Sequence, residues 1–222
     1  MNIKEEKNDL SIKPTHDRIA AFIHYFSKRQ LWISFSNINE NEYMVLYVPK
    51  GTKFGSVELI DDCGDIDLDA LCADNLIVDI DFGDLTISDL VVNSADIDME
   101  SGEVKLGEVE TDTLGVTNSF GDVNLGTITA DKVNIKVDSG DCIMKDLSGN
   151  DIKLDLEFGE ASLNLREAAK EYSCDVNVEF GEIIIDGKEY GTVYFTESDG
   201  QKRYITINMD SGDVEIQGCE ER

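Results

Sequence analysis

Residues Gly64 to Ser101 read GDIDLDALCADNLIVDIDF and then GDLTISDLVVNSADIDMES, two units of 19 residues that each open on a glycine and an acid. The beat continues, since Gly64, Gly83, Gly102, Gly121, Gly140 and Gly159 stand 19 residues apart. Gly181 and Gly212 follow after intervals of 22 and 31. A period near 20 residues marks a solenoid, in which one small unit per repeat stacks on the next because it cannot bury its apolar face alone.

Numbered from the glycine, positions 3 and 5 are apolar, as in Leu85 and Ile87 or Val123 and Leu125, and position 8 is Leu71, Leu90, Val109, Ile128 and Leu147. Positions 13, 15 and 17 read Leu76, Val78, Ile80, then Ala95, Ile97, Met99, and later Val133, Ile135, Val137. Strict alternation with polar residues between is the pattern of half-buried strands, and a period of two excludes a helix over the same residues. The chain is therefore expected to be all-β, a single-stranded parallel β-helix of about eight coils, with strands at positions 2 to 5 and 12 to 18.

The glycine is expected to point inward at a corner where a side chain would collide or the backbone takes a positive φ. A second corner is expected at positions 6 to 12, where Asp74, Asn93, Asp112, Asp131 and Asn150 recur, residue types that bond nearby backbone in turns. Position 19 carries Phe82, Ser101, Phe120, Ser139 and Phe158, before Phe180 and Ser211. Alternating bulk is one way to fill a narrow interior, so these rings are expected inside. An outward stack of phenylalanines open to a partner is the rival reading.

Composition narrows the function. Lys and Arg total 19 against 47 Asp and Glu, a net charge of −28, which excludes nucleic acid and adsorption to anionic lipid as partners. With 41% hydrophobic residues in register the chain is folded, not disordered. The five cysteines, Cys63, Cys72, Cys142, Cys174 and Cys219, include no CxxC pair, and Cys142 and Cys174 fall in inward columns. They read as small buried hydrophobes, which suits a reducing compartment. His16 and His24 lack the spacing of a metal motif. No apolar run is long enough to cross a membrane and no export signal is visible.

Residues 1–13 read as a polar lead-in, 14–50 as capping strands and 51–222 as the repeat array. Within the cap, the stretch from Asp17 to Phe35 fits either a helical face or strands, and Leu31 to Phe35 and Tyr43 to Val48 read as strands. Pro49, Lys50 and Gly51 make a turn, after which Val57 and Leu59 take positions 13 and 15 of a partial first coil. The three extra residues before Gly181 are expected as a short helical bulge at Arg166 to Glu171. The twelve extra before Gly212 are expected as a hairpin of Val193 to Thr196 against Tyr204 to Ile207, turning at Asp199 and Gly200.

The segment VPKGTKF at Val48 to Phe54 leading into CGDIDL, the FGD and SGE corners, and the closing YITINMDSGDVEI resemble the bacterial adhesin-type family of β-strand-repeat proteins, a domain of unknown function. The likeness covers about Tyr43 to Gln217. It implies a right-handed parallel β-helix, an envelope or surface location, and no catalytic residues to carry over. The missing export signal and the cysteines point instead to the cytoplasm.

The sharpest chemical feature is a pair of acidic columns. One follows the glycines, at Asp65, Asp84, Glu103, Asp122, Asp141, Glu160, Glu182 and Asp213, and the other precedes them by two residues, at Asp62, Asp81, Glu100, Asp138, Glu157, Glu179 and Asp210, with Ser119 the gap. Both have outward parity. They serve solubility, or hold a hard cation such as calcium, which wants several carboxylate oxygens together, or meet a basic partner. A polysaccharide-active β-helix enzyme would need one distinctive acid pair. Here the acids recur equally in every coil, and no GxSxG, Walker loop or Cys–His pair is present. The expected function is a noncatalytic binding or structural module without a cofactor, whose partner is a protein or a cell surface. A self-associating scaffold is the main alternative.

Overall fold

The computed structural model describes residues 11–14, 21–26, 30–35, 44–49, 51–198 and 203–219. It is a β-solenoid of about six turns, built from stacked coils of 19 residues. Successive strands pair in parallel, each residue opposite its equivalent one repeat later. Val104–Phe120 lies along Val123–Ser139, and Val123–Ser139 along Cys142–Phe158, with Leu106, Leu125 and Met144 in register.

Burial divides each coil into three sides. In the coil that opens at Gly121, Val123 and Leu125, then Ile128 and Ala130, then Val133, Ile135 and Val137 face the interior and are at most 7% exposed. The inward parity slips by one residue after Leu125 and again after Ala130, so the single corner expected at positions 6 to 12 is two corners with a short side between them. Pairing continues around both, which is why a single strand runs unbroken over a length such as Val104–Phe120. Six large aliphatic side chains per coil contribute about 9–18 kcal/mol of gross burial. Two neighbouring carboxylates about 4.8 Å apart in water repel by about 0.9 kcal/mol. Burial wins, so the acidic columns are tolerated.

The last two coils do not stack in sequence order. Tyr204–Ser211 pairs in parallel with Cys142–Phe158 on one side and with Ser173–Phe180 on the other, and Val214–Gln217 lies likewise between Ala161–Leu165 and Ile183–Ile185. The corner glycines therefore run Gly159, Gly212, Gly181: the Gly159 N–H donates to Ser211 O at 3.2 Å and the Gly212 N–H to Phe180 O at 2.9 Å. The chain skips one rung after Leu165 and comes back to fill it. A rung is about 4.8 Å, and three extra residues suffice to cross it. All eight corner glycines take a positive φ, and the stack makes about six turns where about eight coils were expected.

The expected hairpin is also corrected. Val193–Thr196 pairs antiparallel with Cys174–Asn177 and not with Tyr204–Ile207, which is occupied inside the stack; Asp199 and Gly200 lie outside the described residues. The expected bulge is present as a short 3₁₀ turn at Ala169–Glu171. At the other end, Gln30–Phe35 continues the parallel stack against Phe54–Asp61 and is covered by antiparallel Ala21–Phe26, so the strand reading of that ambiguous stretch holds where it is described. Both ends thus close on an antiparallel strand. Val57 and Leu59 sit opposite Leu76 and Val78, as their positions require. Ser11–Pro14, partly inside the expected lead-in, is a strand against Met44–Tyr47; residues 1–10 lie outside the described residues.

Candidate functional site

The glycine corner concentrates the chemistry. The glycines are not aimed into the core: a Cβ on Gly102 or Gly140 would lie 1.9 and 2.1 Å from the carbonyl oxygen of the glycine one coil before, so the blocked direction runs along the stack. The corner backbone packs too closely for any side chain.

Both acidic columns face outward, exposed or half-buried. The column after the glycine has a structural use that spacing alone did not reveal. Asp65 Oδ1 accepts the Asp84 N–H at 3.0 Å, and Asp84 Oδ1 accepts the Glu103 N–H at 2.9 Å. Asp122, Asp141 and Asp213 accept the N–H of Asp141, Glu160 and Glu182 in the same way, each at 2.9 Å. Aspartate is the right length to cap the next coil's free amide, a group that is costly to leave unpaired at a packed corner. The longer Glu103 instead receives the Asn124 amide at 2.8 Å and pairs with Lys105. Asp62, Asp81, Glu100, Asp138, Glu157, Glu179 and Asp210 form the second column, where Lys136 meets Asp138 at 2.9 Å. Among the described residues no three of His, Cys, Asp or Glu converge on a metal-sized site; His16 lies outside them.

Between the columns stand the phenylalanines, and they are outside the core. Phe82, Phe120, Phe158 and Phe180 are 56%, 63%, 57% and 73% exposed, which overturns their expected packing role and favours the outward stack. The inward alternation ends at position 17, and the corner turns position 19 out. Register partners run Phe82, Ser101, Phe120, Ser139, Phe158, Ser211, Phe180. The re-entrant strand supplies Ser211 and keeps the alternation perfect; stacking in sequence order would set Phe158 beside Phe180. A signal was available in the sequence, because a serine hydroxyl is a poor filler for an apolar interior.

A second surface feature runs along the short side. Small residues at position 10, Ala73, Val92, Thr111, Ala130 and Gly149, floor a groove of about 420 Å³. Lys53 and Arg203 stand on its lining, Lys53 ion-paired to Asp74 at 2.7 Å and Arg203 to Glu167 at 2.9 Å. Glu167 also accepts the Ser148 hydroxyl at 2.8 Å and the Tyr172 hydroxyl at 2.9 Å. Burial, then the Glu167 carboxylate, raise the Tyr172 phenol above its ordinary range. This cluster pins the chain where it skips a rung.

The buried thiols behave as hydrophobes. Burial pushes Cys142 up to about 12 and Cys174 up to about 11, so both stay protonated and unreactive. Cys63, Cys72, Cys142 and Cys174 form no disulfide among the described residues.

One buried acid escaped the sequence reading. Asp61 occupies the inward position that Ile80 fills in the next coil and is 4% exposed. Its carboxylate accepts the Cys63 N–H at 3.1 Å, but burial raises its pKa above the usual 3.8, helped by Asp62, Asp65 and Asp81. The folded chain then holds this proton where the unfolded chain has lost it, so stability falls as pH rises from about 3.8 through the folded value, and the penalty is complete above it. Asp61→Asn keeps an acceptor for Cys63 and removes the buried charge. It should melt higher than the parent near neutral pH, with the gain vanishing in urea titrations at or below pH 3.8.

The family model described as Toastrack DUF4097 matches residues 2–217. The chain belongs to this family. The Toastrack match agrees with the β-repeat domain of unknown function to which the sequence is similar, and it assigns neither an adhesive role nor a bacterial source. No curated protein and no solved structure matches this Toastrack chain. Among its described residues no helix is long and apolar enough to cross a membrane.

Proposed function

We propose that the protein is a noncatalytic binding module, a solenoid rod whose contact face is the line of exposed phenylalanines. That line is the observation that carries the reading: four rings at least 56% exposed, aligned on one edge by backbone register. Single exposed apolar residues need no explanation, whereas aligned ones mark an interaction surface. The noncatalytic part is supported by the acids, which recur in every coil, the five aspartates that follow the glycines each accepting a backbone amide of the neighbouring coil. An adhesive role would be this same reading with the rod displayed at a surface.

The test is a random peptide library displayed on phage, selected on the full chain and counter-selected on the variant Phe82→Ser/Phe120→Ser/Phe158→Ser/Phe180→Ser. Serine already occupies the intervening rungs, so the variant should keep its fold, checked by circular dichroism. Enriched peptides should bind the parent and not the variant. If none depends on the rings, this reading falls.

A further inference from the structure

We propose that the phenylalanine ladder receives a basic, proline-rich segment of a partner protein, held in the polyproline II conformation along the axis of the stack. This rests on the ladder being the binding face and adds the chemistry of what binds there.

Spacing is the first reason. Phe82, Phe120, Phe158 and Phe180 stand two rungs apart in the register, or about 9.4–9.8 Å, and the ladder spans about 28–29 Å. A polyproline II helix advances about 9.3 Å per turn of three residues, so about ten residues, nine steps, cover about 28 Å and present one side chain to each of the four rings. An extended strand puts like-facing side chains about 6.6–6.8 Å apart and falls out of step at once. An α-helix returns to the same face after seven residues, about 10.5 Å, and is about 3 Å out by the last ring. Polyproline II alone stays in phase. It also enters already ordered, and aromatic faces are its usual seat.

Charge is the second reason. The rings are already partly covered by the stack, and association must offset lost translational, rotational and side-chain freedom, so ring burial alone makes a weak site. The acids beside them complete the site. Asp81, Glu157 and Glu179 immediately precede Phe82, Phe158 and Phe180, and Asp84, Asp122 and Glu160 lie two residues beyond Phe82, Phe120 and Phe158. A partner with Arg or Lys at every third residue lays each cation over a ring within reach of these carboxylates. A second copy of this chain would match the alternation of ring and notch, but it would face acidic columns with acidic columns, at a net charge of −28 per chain, and like charges set against each other across an interface repel.

The probes are fluorescein-labelled peptides of repeated Arg-Pro-Pro, Arg-Gly-Ser and Glu-Pro-Pro units of equal length, titrated by anisotropy onto the full chain and onto Phe120→Ser/Phe158→Ser. The Arg-Pro-Pro peptide is expected to bind at least about tenfold more tightly than Arg-Gly-Ser. It should lose about tenfold or more on the variant and weaken as salt rises. Glu-Pro-Pro should not bind. Equal binding of the two arginine peptides, or no loss on the variant, would reduce the effect to charge alone and overturn the proposal. So would no binding of Arg-Pro-Pro. Sedimentation that showed a dimer growing with salt and lost in the variant would place a second copy on the ladder and overturn it too. Ring-dependent phage peptides of other chemistry would defeat this inference while leaving the binding face intact.

Discussion

A chain stopped after Ser198 is expected to lose amide protection throughout residues 173–196 while residues 64–158 keep theirs. In the intact protein, Ser173–Phe180 has, among the described residues, only Tyr204–Ser211 as its parallel neighbour, and Ile183–Ile185 depends likewise on Val214–Gln217. The truncation removes Ile205, Ile207, Met209, Val214 and Ile216, all at most 2% exposed. That is about 7–15 kcal/mol of gross burial. It also leaves an empty rung between Phe158 and the terminal cap, and a solenoid coil with no neighbour beneath it has no core of its own. Hydrogen exchange read by mass spectrometry gives the answer segment by segment. Stacking in sequence order predicts the opposite result, since Ser173–Phe180 would then rest directly on the preceding coil and stay protected. That outcome would refute the re-entrant order.

Gly121→Ala should cost about 2–6 kcal/mol, the sum of a strained backbone position and overpacking at about 1–3 kcal/mol each. Gly121 sits at φ 131°, and its added Cβ would lie 2.1 Å from the carbonyl oxygen of Gly102, which is backbone and cannot swing aside. Asn118 holds the same corner closed from inside, donating its amide to Gly102 O at 2.9 Å and to Gly121 O at 3.0 Å. At about 2–4 °C per kcal/mol for a chain of this size, the melting temperature should fall by roughly 5–20 °C. Gly115→Ala is the control, for its Cβ would meet the Asp96 side chain at 3.2 Å and the Ala95 carbonyl oxygen at an ordinary 3.7 Å, and no positive φ is involved. It should change stability by less than about 1 kcal/mol. Equal losses at both glycines would show that the corner packing has no special hold on the fold.

The coil was legible because its evidence is local. Val133, Ile135 and Val137 alternate with Asn134 and Lys136, and that pattern has no other economical solution than a strand with one face buried. The acidic columns were legible in direction for the same reason. Their use was not, because Asp84 and the Glu103 amide it caps are 19 residues apart and meet only when coils stack. The phenylalanines were misplaced by carrying parity through the corner, where the backbone at Gly83 and its equivalents breaks the alternation. Asp61 was passed over because it belongs to a partial first coil that has no opening glycine to number it from; only its place opposite Ile80 shows that it is buried.

By itself the sequence determined the all-β solenoid, its repeat of 19, its inward columns and its acidic exterior, since each follows from the order of residues within one coil. Only the tertiary structure decided that the final strand slides in below the coil that precedes it, and that the rings face solvent in strict alternation with serine. The physical reason is that an interval of 22 residues reaches one rung or two equally well. Which rung is taken depends on the backbone edges left unpaired there, and those edges come from distant parts of the chain.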